Sequence, residues 1–128
     1  MNKTHQYPVT IEWTGNTGQG TSSYRTYKRD HTVSVLGKQP ILCSSDPSFR
    51  GDPKRYNPEE QFVAAISSCH MLWYLHLCAS AKIVVLEYRD EAVGTMEEHQ
   101  DGSGQFTAVV LKPKVKIENK EQVEKARV

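Results

Sequence analysis

The side chains best able to do chemistry in this sequence are concentrated in one stretch. Cys69 and His70 are adjacent, and His76 and Cys78 follow shortly after, while Cys43 lies well before them. A cysteine is either a small packing residue or a reactive thiol whose thiolate is the nucleophile. Thiols beside imidazoles also raise the question of a zinc site. The spacing argues against one. On a helix Cys69 and His70 point about 100° apart, and His76 is six positions from His70, whereas ligands on one helix face sit three or four apart. Cys69 and Cys78 would be ~13.5 Å apart along a helix axis, beyond the ~7 Å Cα limit for a disulfide. Cys78 is therefore expected to pack, and no metal or cofactor is expected. Cys69 is either a packing residue or a nucleophile. As a nucleophile about twelve residues into a helix it would lie beyond the reach of the dipole, so an Arg or Lys would have to approach it from elsewhere.

The element that carries these residues is the strongest helix signal in the chain. Asn57 is a good N-cap, Pro58 suits the first helical position, and Glu59 and Glu60 favour the positive end of the dipole. Glu60, three after Asn57, resembles a capping box. The helix is expected to run to about Ala81. From Gln61 to Ala81 there is no Asp, Glu, Lys or Arg. A run so long without charge has to be weighed as a membrane span. Gln61, Ser67, Ser68, His70, His76 and Ser80 within it, and its soluble-type cap, argue instead for a helix buried on nearly every side. One domain of this size has difficulty covering such a helix alone. The expectation is a second copy of the chain, in a two-fold dimer.

Strands are expected on both sides of the helix. Before it they fall at residues 7–13, 24–28 and 31–36, followed by a long polar loop over 39–56 that contains Pro40, Pro47 and Pro53. After it they fall at 83–88, 92–97 and 106–117, with Asp101-Gly102-Ser103-Gly104 as a hairpin turn. In the last strand Val109, Leu111, Pro113, Val115 and Ile117 share a face, and Pro113 suits an edge or bulge. Asn119 is placed to cap a second helix, within which the chain ends at Val128. Strands and helices are segregated, so the class is α+β. The expectation is a single domain over residues 1–128, lacking its C-terminal end.

Composition narrows the function classes. The chain has 128 residues, 16 Lys plus Arg against 15 Asp plus Glu, and three cysteines. A charge so nearly balanced lacks the basic excess of a nucleic-acid binder and offers no polybasic membrane patch. An odd, low cysteine count does not suit a secreted disulfide framework, and the N-terminus has no apolar signal region. The expected compartment is the reducing cytoplasm, with neither nucleic acid nor membrane as partner.

The run from Asn57-Pro58-Glu59-Glu60 through Ser67-Ser68-Cys69-His70-Met71 resembles the signature of the OsmC/Ohr family, the osmotically inducible protein C and organic hydroperoxide resistance proteins. Trp13-Thr14-Gly15-Asn16, the loop Ser45-Asp46-Pro47-Ser48-Phe49-Arg50-Gly51-Asp52-Pro53 and Gly94-Thr95-Met96 resemble one subgroup of it, the OsmC-like peroxiredoxins. The resemblance covers nearly the whole chain. It implies an intertwined homodimer, with antiparallel sheets wrapped around two long central helices. It also implies a thiol-dependent peroxidase acting on organic, and also hydrogen, peroxides. Cys69 matches the peroxidatic cysteine. Glu59 matches the acid that holds an arginine beside the thiolate. Arg50 lies nearest the expected spacing for that arginine, Arg25 is the fallback, and Arg29 and Arg55 follow. An external dithiol reductant is the implied electron donor. Family members also carry a resolving cysteine near the C-terminus, and no cysteine follows Cys78 here. The second reading is a non-catalytic dimer of the same fold that binds an apolar ligand.

Overall fold

The computed structural model describes residues 2–127. The chain divides into two compact units, one ending at Pro58 and one beginning at Glu59.

The first unit holds a three-stranded antiparallel sheet in the order β1 (Thr10–Trp13), β2 (His31–Ser34), β3 (Ile41–Cys43). Trp13 pairs with His31, and His31 with Cys43. The strand expected over 24–28 does not form. Ser23 and Thr26 bond each other's backbone and close a turn there, Thr26 Oγ1 donating to Ser23 O at 3.0 Å and accepting from Ser23 N at 3.1 Å. Such local side-chain bonds compete with a sheet ladder. Residues 24–30 instead pack on the end of β1. Trp13 Nε1 donates to Lys28 O at 2.9 Å, and the Trp13 ring meets Tyr27 edge-on at 5.8 Å. Gly15 is required at this contact, because a Cβ there would collide with the Lys28 carbonyl. The loop expected over 39–56 contains β3 and a 3₁₀ turn at Pro47–Phe49, capped by Asp46.

The second unit is built on helix α1 (Pro58–Ser80), which starts as its cap residues predict. It ends in a left-handed residue, Lys82 at φ 60°, with Ile83 N donating to Cys78 O at 2.8 Å. That six-residue closure satisfies the last carbonyls of the helix. Four strands follow as two antiparallel pairs: β4 (Val85–Asp90) with β7 (Pro113–Ile117), and β5 (Val93–Glu98) with β6 (Gly104–Val110). The single strand expected over 106–117 is therefore two strands, interrupted at Leu111-Lys112 before Pro113. Proline has no N–H to give a ladder, and Lys112 N donates to the Asp90 side chain at 2.7 Å instead of to a strand. The turn after β5 forms as expected. Asp101 Oδ1 accepts from Ser103 N and Ser103 Oγ, and Gly102 takes φ 88°. Asn119 caps a 3₁₀ turn (Lys120–Gln122) that leads into α2 (Val123–Ala126).

The core of this unit is Tyr74, Cys78 and Ile83, packed with Val85, Tyr88, Val115, Ile117 and Ala126. At the other end of α1, Phe62 stacks on Phe106 at 4.8 Å and Val63 presses on Gly94, where no side chain fits. The fold is α+β.

Candidate functional site

The distribution of α1 side chains between core and surface singles out one cysteine. Residues 63, 66, 67, 70, 71, 74, 75 and 78 are buried or half-buried. They repeat at helical spacing and form the face turned to the strands. The opposite stripe, Ala65, Cys69, Leu72, Trp73 and His76, is exposed and largely apolar. Leu72 and Trp73 are 62% and 63% exposed. By length and composition α1 could cross a membrane, and only 11% of its most apolar window is buried. A stripe of this kind on a globular chain marks an interaction surface. Cys69 lies in the middle of it.

The other two thiols are sealed. Cys78 is 4% exposed and Cys43 fully buried. Cys78 packs as expected. Among the described residues no three His, Cys, Asp or Glu side chains gather where they could hold a metal. His70, next to Cys69, turns to the other side of α1 and lines a cavity of about 500 Å³ with Tyr74, Tyr88, Leu111, Val115 and Ile117. The Tyr88 hydroxyl is buried there without a hydrogen-bond partner among the described residues. Burial pushes its pKa up, with the Asp90 charge adding to the effect.

Glu59 and Cys69 share one helix and are ten residues apart, ~15 Å along the axis, so they cannot touch within one chain. Glu59 is half-buried, and its Oε2 is buried with no hydrogen-bond partner among the described residues. A buried carboxylate oxygen without a donor is costly, and a guanidinium is the group best shaped to satisfy it.

The arginines of the first unit fall into two groups. Arg29 lies over the rings of Tyr24 and Tyr27 at 4.4 and 3.8 Å, and its Nη1 and Nη2 donate to the carbonyls of Tyr27 and Tyr24. Arg55 pairs with Asp30 and Asp52 and donates to Cys43 O. Both side chains are committed to the fold. Arg25 and Arg50 are exposed, and among the described residues neither guanidinium has a hydrogen bond or ion pair. The two arginines nearest the expected role are thus the two left available in this unit.

Comparison with known proteins agrees with this architecture. A family model described as OsmC-like protein matches residues 51–128. A solved structure of an OsmC-like protein of unknown function from Vibrio cholerae O1 biovar eltor is 32% identical. It superposes with a TM-score of 0.81 over 96% of this chain and 85% of its own. An OsmC-like protein from Mycoplasma pneumoniae is 11% identical, with a TM-score of 0.67 over 98% of this chain and 79% of its own, a likeness of fold alone. No curated protein matches. The chain belongs to the OsmC-like family, and its fold is the OsmC-like fold.

Proposed function

We propose that the protein is a cytoplasmic, homodimeric, thiol-dependent peroxidase with Cys69 as its nucleophile. The observation that carries the reading is the place of Cys69: an exposed thiol centred on an uncovered apolar stripe, while Cys43 and Cys78 are buried. A second copy of the chain covers that stripe and makes an apolar, water-poor surround for the thiol. Glu59 and an arginine, Arg50 first and Arg25 second, complete the site. The buried Glu59 Oε2 supports an ion pair of this kind.

The chemistry then follows from charge. A guanidinium beside Cys69 Sγ favours the thiolate and can hydrogen-bond the peroxide oxygens. The thiolate attacks the terminal oxygen of the hydroperoxide. The S–O bond forms as the O–O bond breaks, and the leaving alkoxide takes a proton to become the alcohol. Sulfur is oxidised by two electrons to the sulfenic acid. An external dithiol returns it to the thiol, releasing water and ending as a disulfide. The apolar neighbours Phe62, Leu72 and Trp73 suit organic peroxides over hydrogen peroxide.

Loss of an organic hydroperoxide in the presence of a dithiol reductant tests the reading. Turnover by the native chain and none by Cys69→Ser is the expected result. Equal rates would remove Cys69 from the chemistry.

The second reading, an apolar-ligand binder, draws on the cavity lined by Tyr74, Tyr88, Val115 and Ile117 with its unpartnered Tyr88 hydroxyl. Saturable uptake of an environment-sensitive fatty-acid probe, lost in Val115→Trp, with no peroxide turnover, would favour it.

A further inference from the structure

We infer that Asp30, Arg55 and Asp52 form a positioning cluster that holds the loop bearing Arg50. The inference rests on Arg50 being the cation of the Cys69 site.

The loop over residues 44–56 leaves β3 and closes back on it. Ser44 N donates to Tyr56 O at 3.0 Å, and Cys43 and Tyr56 form an isolated bridge. Arg55 stands at this closure. Its Nη2 lies 3.7 Å from Asp30 Oδ2, its Nε 3.8 Å from Asp52 Oδ2, and its Nη1 donates to Cys43 O at 3.5 Å. Ser44, fully buried, donates from Oγ to Asp30 Oδ1 at 3.2 Å and accepts from Asp52 N at 3.1 Å. One guanidinium and one hydroxyl thus join the start of β2, the end of β3 and the returning limb of the loop.

The apex is equally constrained. Phe49 N and Gly51 N both donate to Asp46 O, at 2.8 and 3.1 Å. Arg50 itself is left-handed at φ 64°, a costly conformation for a residue with a Cβ. Gly51 lies so close to the Ser45 carbonyl that no side chain could stand there. The backbone of Arg50 is therefore fixed from both sides, while its guanidinium has no polar partner among the described residues. Such a loop holds a charge in place for a group outside the loop, and a misplacement of about 1 Å in a site of this kind costs up to about a hundredfold in rate. Each ion pair alone is partly solvated and adds little to stability. Their joint effect falls on the position of Arg50. Lysine cannot replace Arg55, because a single ammonium does not span three acceptors set around a planar fork.

The test compares the native chain with Asp30→Asn, Arg55→Lys, Arg50→Ala and the double variant Arg55→Lys/Arg50→Ala. The readouts are kcat/KM for an organic hydroperoxide, the pH midpoint of Cys69 labelling by a thiol reagent, and thermal unfolding. Asp30→Asn and Arg55→Lys should each lower kcat/KM about tenfold. They should also move the labelling midpoint part of the way to that of Arg50→Ala. The double variant should be no slower than Arg50→Ala alone, because residues acting through one group are not additive. The inference is overturned if the cluster variants change melting temperature without moving the midpoint, or if Arg55→Lys and Arg50→Ala are fully additive. If Arg50→Ala itself leaves rate and midpoint unchanged, the reading of the site fails and this inference falls with it.

Discussion

Ser67 Oγ donates to Asp90 Oδ2 at 2.6 Å, two residues before Cys69 on the helix. The same carboxylate accepts Lys112 N through Oδ1 at 2.7 Å. Asp90 thus ties the middle of α1 to the end of β4 and the entry of β7. Removing it strands one hydroxyl and one backbone N–H. Asp90→Ala should cost about 1–2 kcal/mol, at the low end for two such groups because both are partly solvated. It should lower the melting temperature by about 5 °C. Asp90→Asn keeps an acceptor for Lys112 and should lose less. Thermal unfolding by circular dichroism distinguishes the two, and equal losses would mean the carboxylate charge matters more than the bonds.

Gly94 faces Val63 and Phe106 across the β5–α1 contact, and a Cβ there would lie 2.9 Å from Phe106 Cε1 and closer still to Val63 Cγ2. Gly94→Ala should destabilise the protein by about 1–3 kcal/mol through overpacking. Pairing it with Val63→Ala, which opens the space, should recover part of the loss. Denaturant midpoints of the two variants check this, and no recovery would place the cost in the strand and not in the contact.

Tyr74 donates its hydroxyl to Ala126 O at 2.7 Å, and burial, with a smaller effect of its Cys78 hydrogen bond, pushes its pKa from 10.0 up to about 12. The fold favours the protonated phenol. Its contribution to stability is therefore complete below pH 10 and is lost as pH rises through the window from 10 to about 12. Tyr74→Phe should be less stable than the native chain at pH 8, and the gap should close toward pH 12. A gap that stays constant with pH would show that Tyr74 does not titrate with unfolding.

The exposed stripe on α1 makes the dimer testable without chemistry. Leu72→Glu changes a side chain that is 62% exposed in one chain, so a monomer should tolerate it. A dimer built on that face should dissociate, because the charge would be buried unpaired. Sedimentation should show the native chain at twice the monomer mass and the variant at one, with peroxidase activity lost in step. A native chain that sediments as a monomer at micromolar concentration would remove the partner copy.

Cysteine accessibility gives a direct count. At neutral pH and without denaturant, a thiol reagent should modify one of the three thiols quickly, and Cys69→Ser should abolish that phase. Cys78→Ala should keep the fast phase and lose about 1 kcal/mol or more of stability from its packed site. Fast labelling that survives Cys69→Ser would point to opening around Cys43 or Cys78.

Much of this architecture is legible in the chain because its causes are local. Asn57, Pro58 and the two glutamates define the start of α1, its missing charges define its apolar surface, and Asp101 with Gly102 defines a turn through bonds only two residues long. The motif around Cys69 carries the family. Tertiary structure decided what depends on distant partners. Residues 24–28 read as a short strand, yet Arg29 stacks on Tyr24 and Tyr27 and the segment folds onto Trp13. The last strand breaks at Leu111-Lys112 because Asp90, far away in sequence, supplies the acceptor for Lys112 N. The sequence ranks the arginines only by their spacing in the family resemblance. Only the fold binds Arg29 and Arg55 to carbonyls, rings and carboxylates and leaves Arg25 and Arg50 without a polar partner among the described residues, since a guanidinium's availability is set by what lies within reach of it.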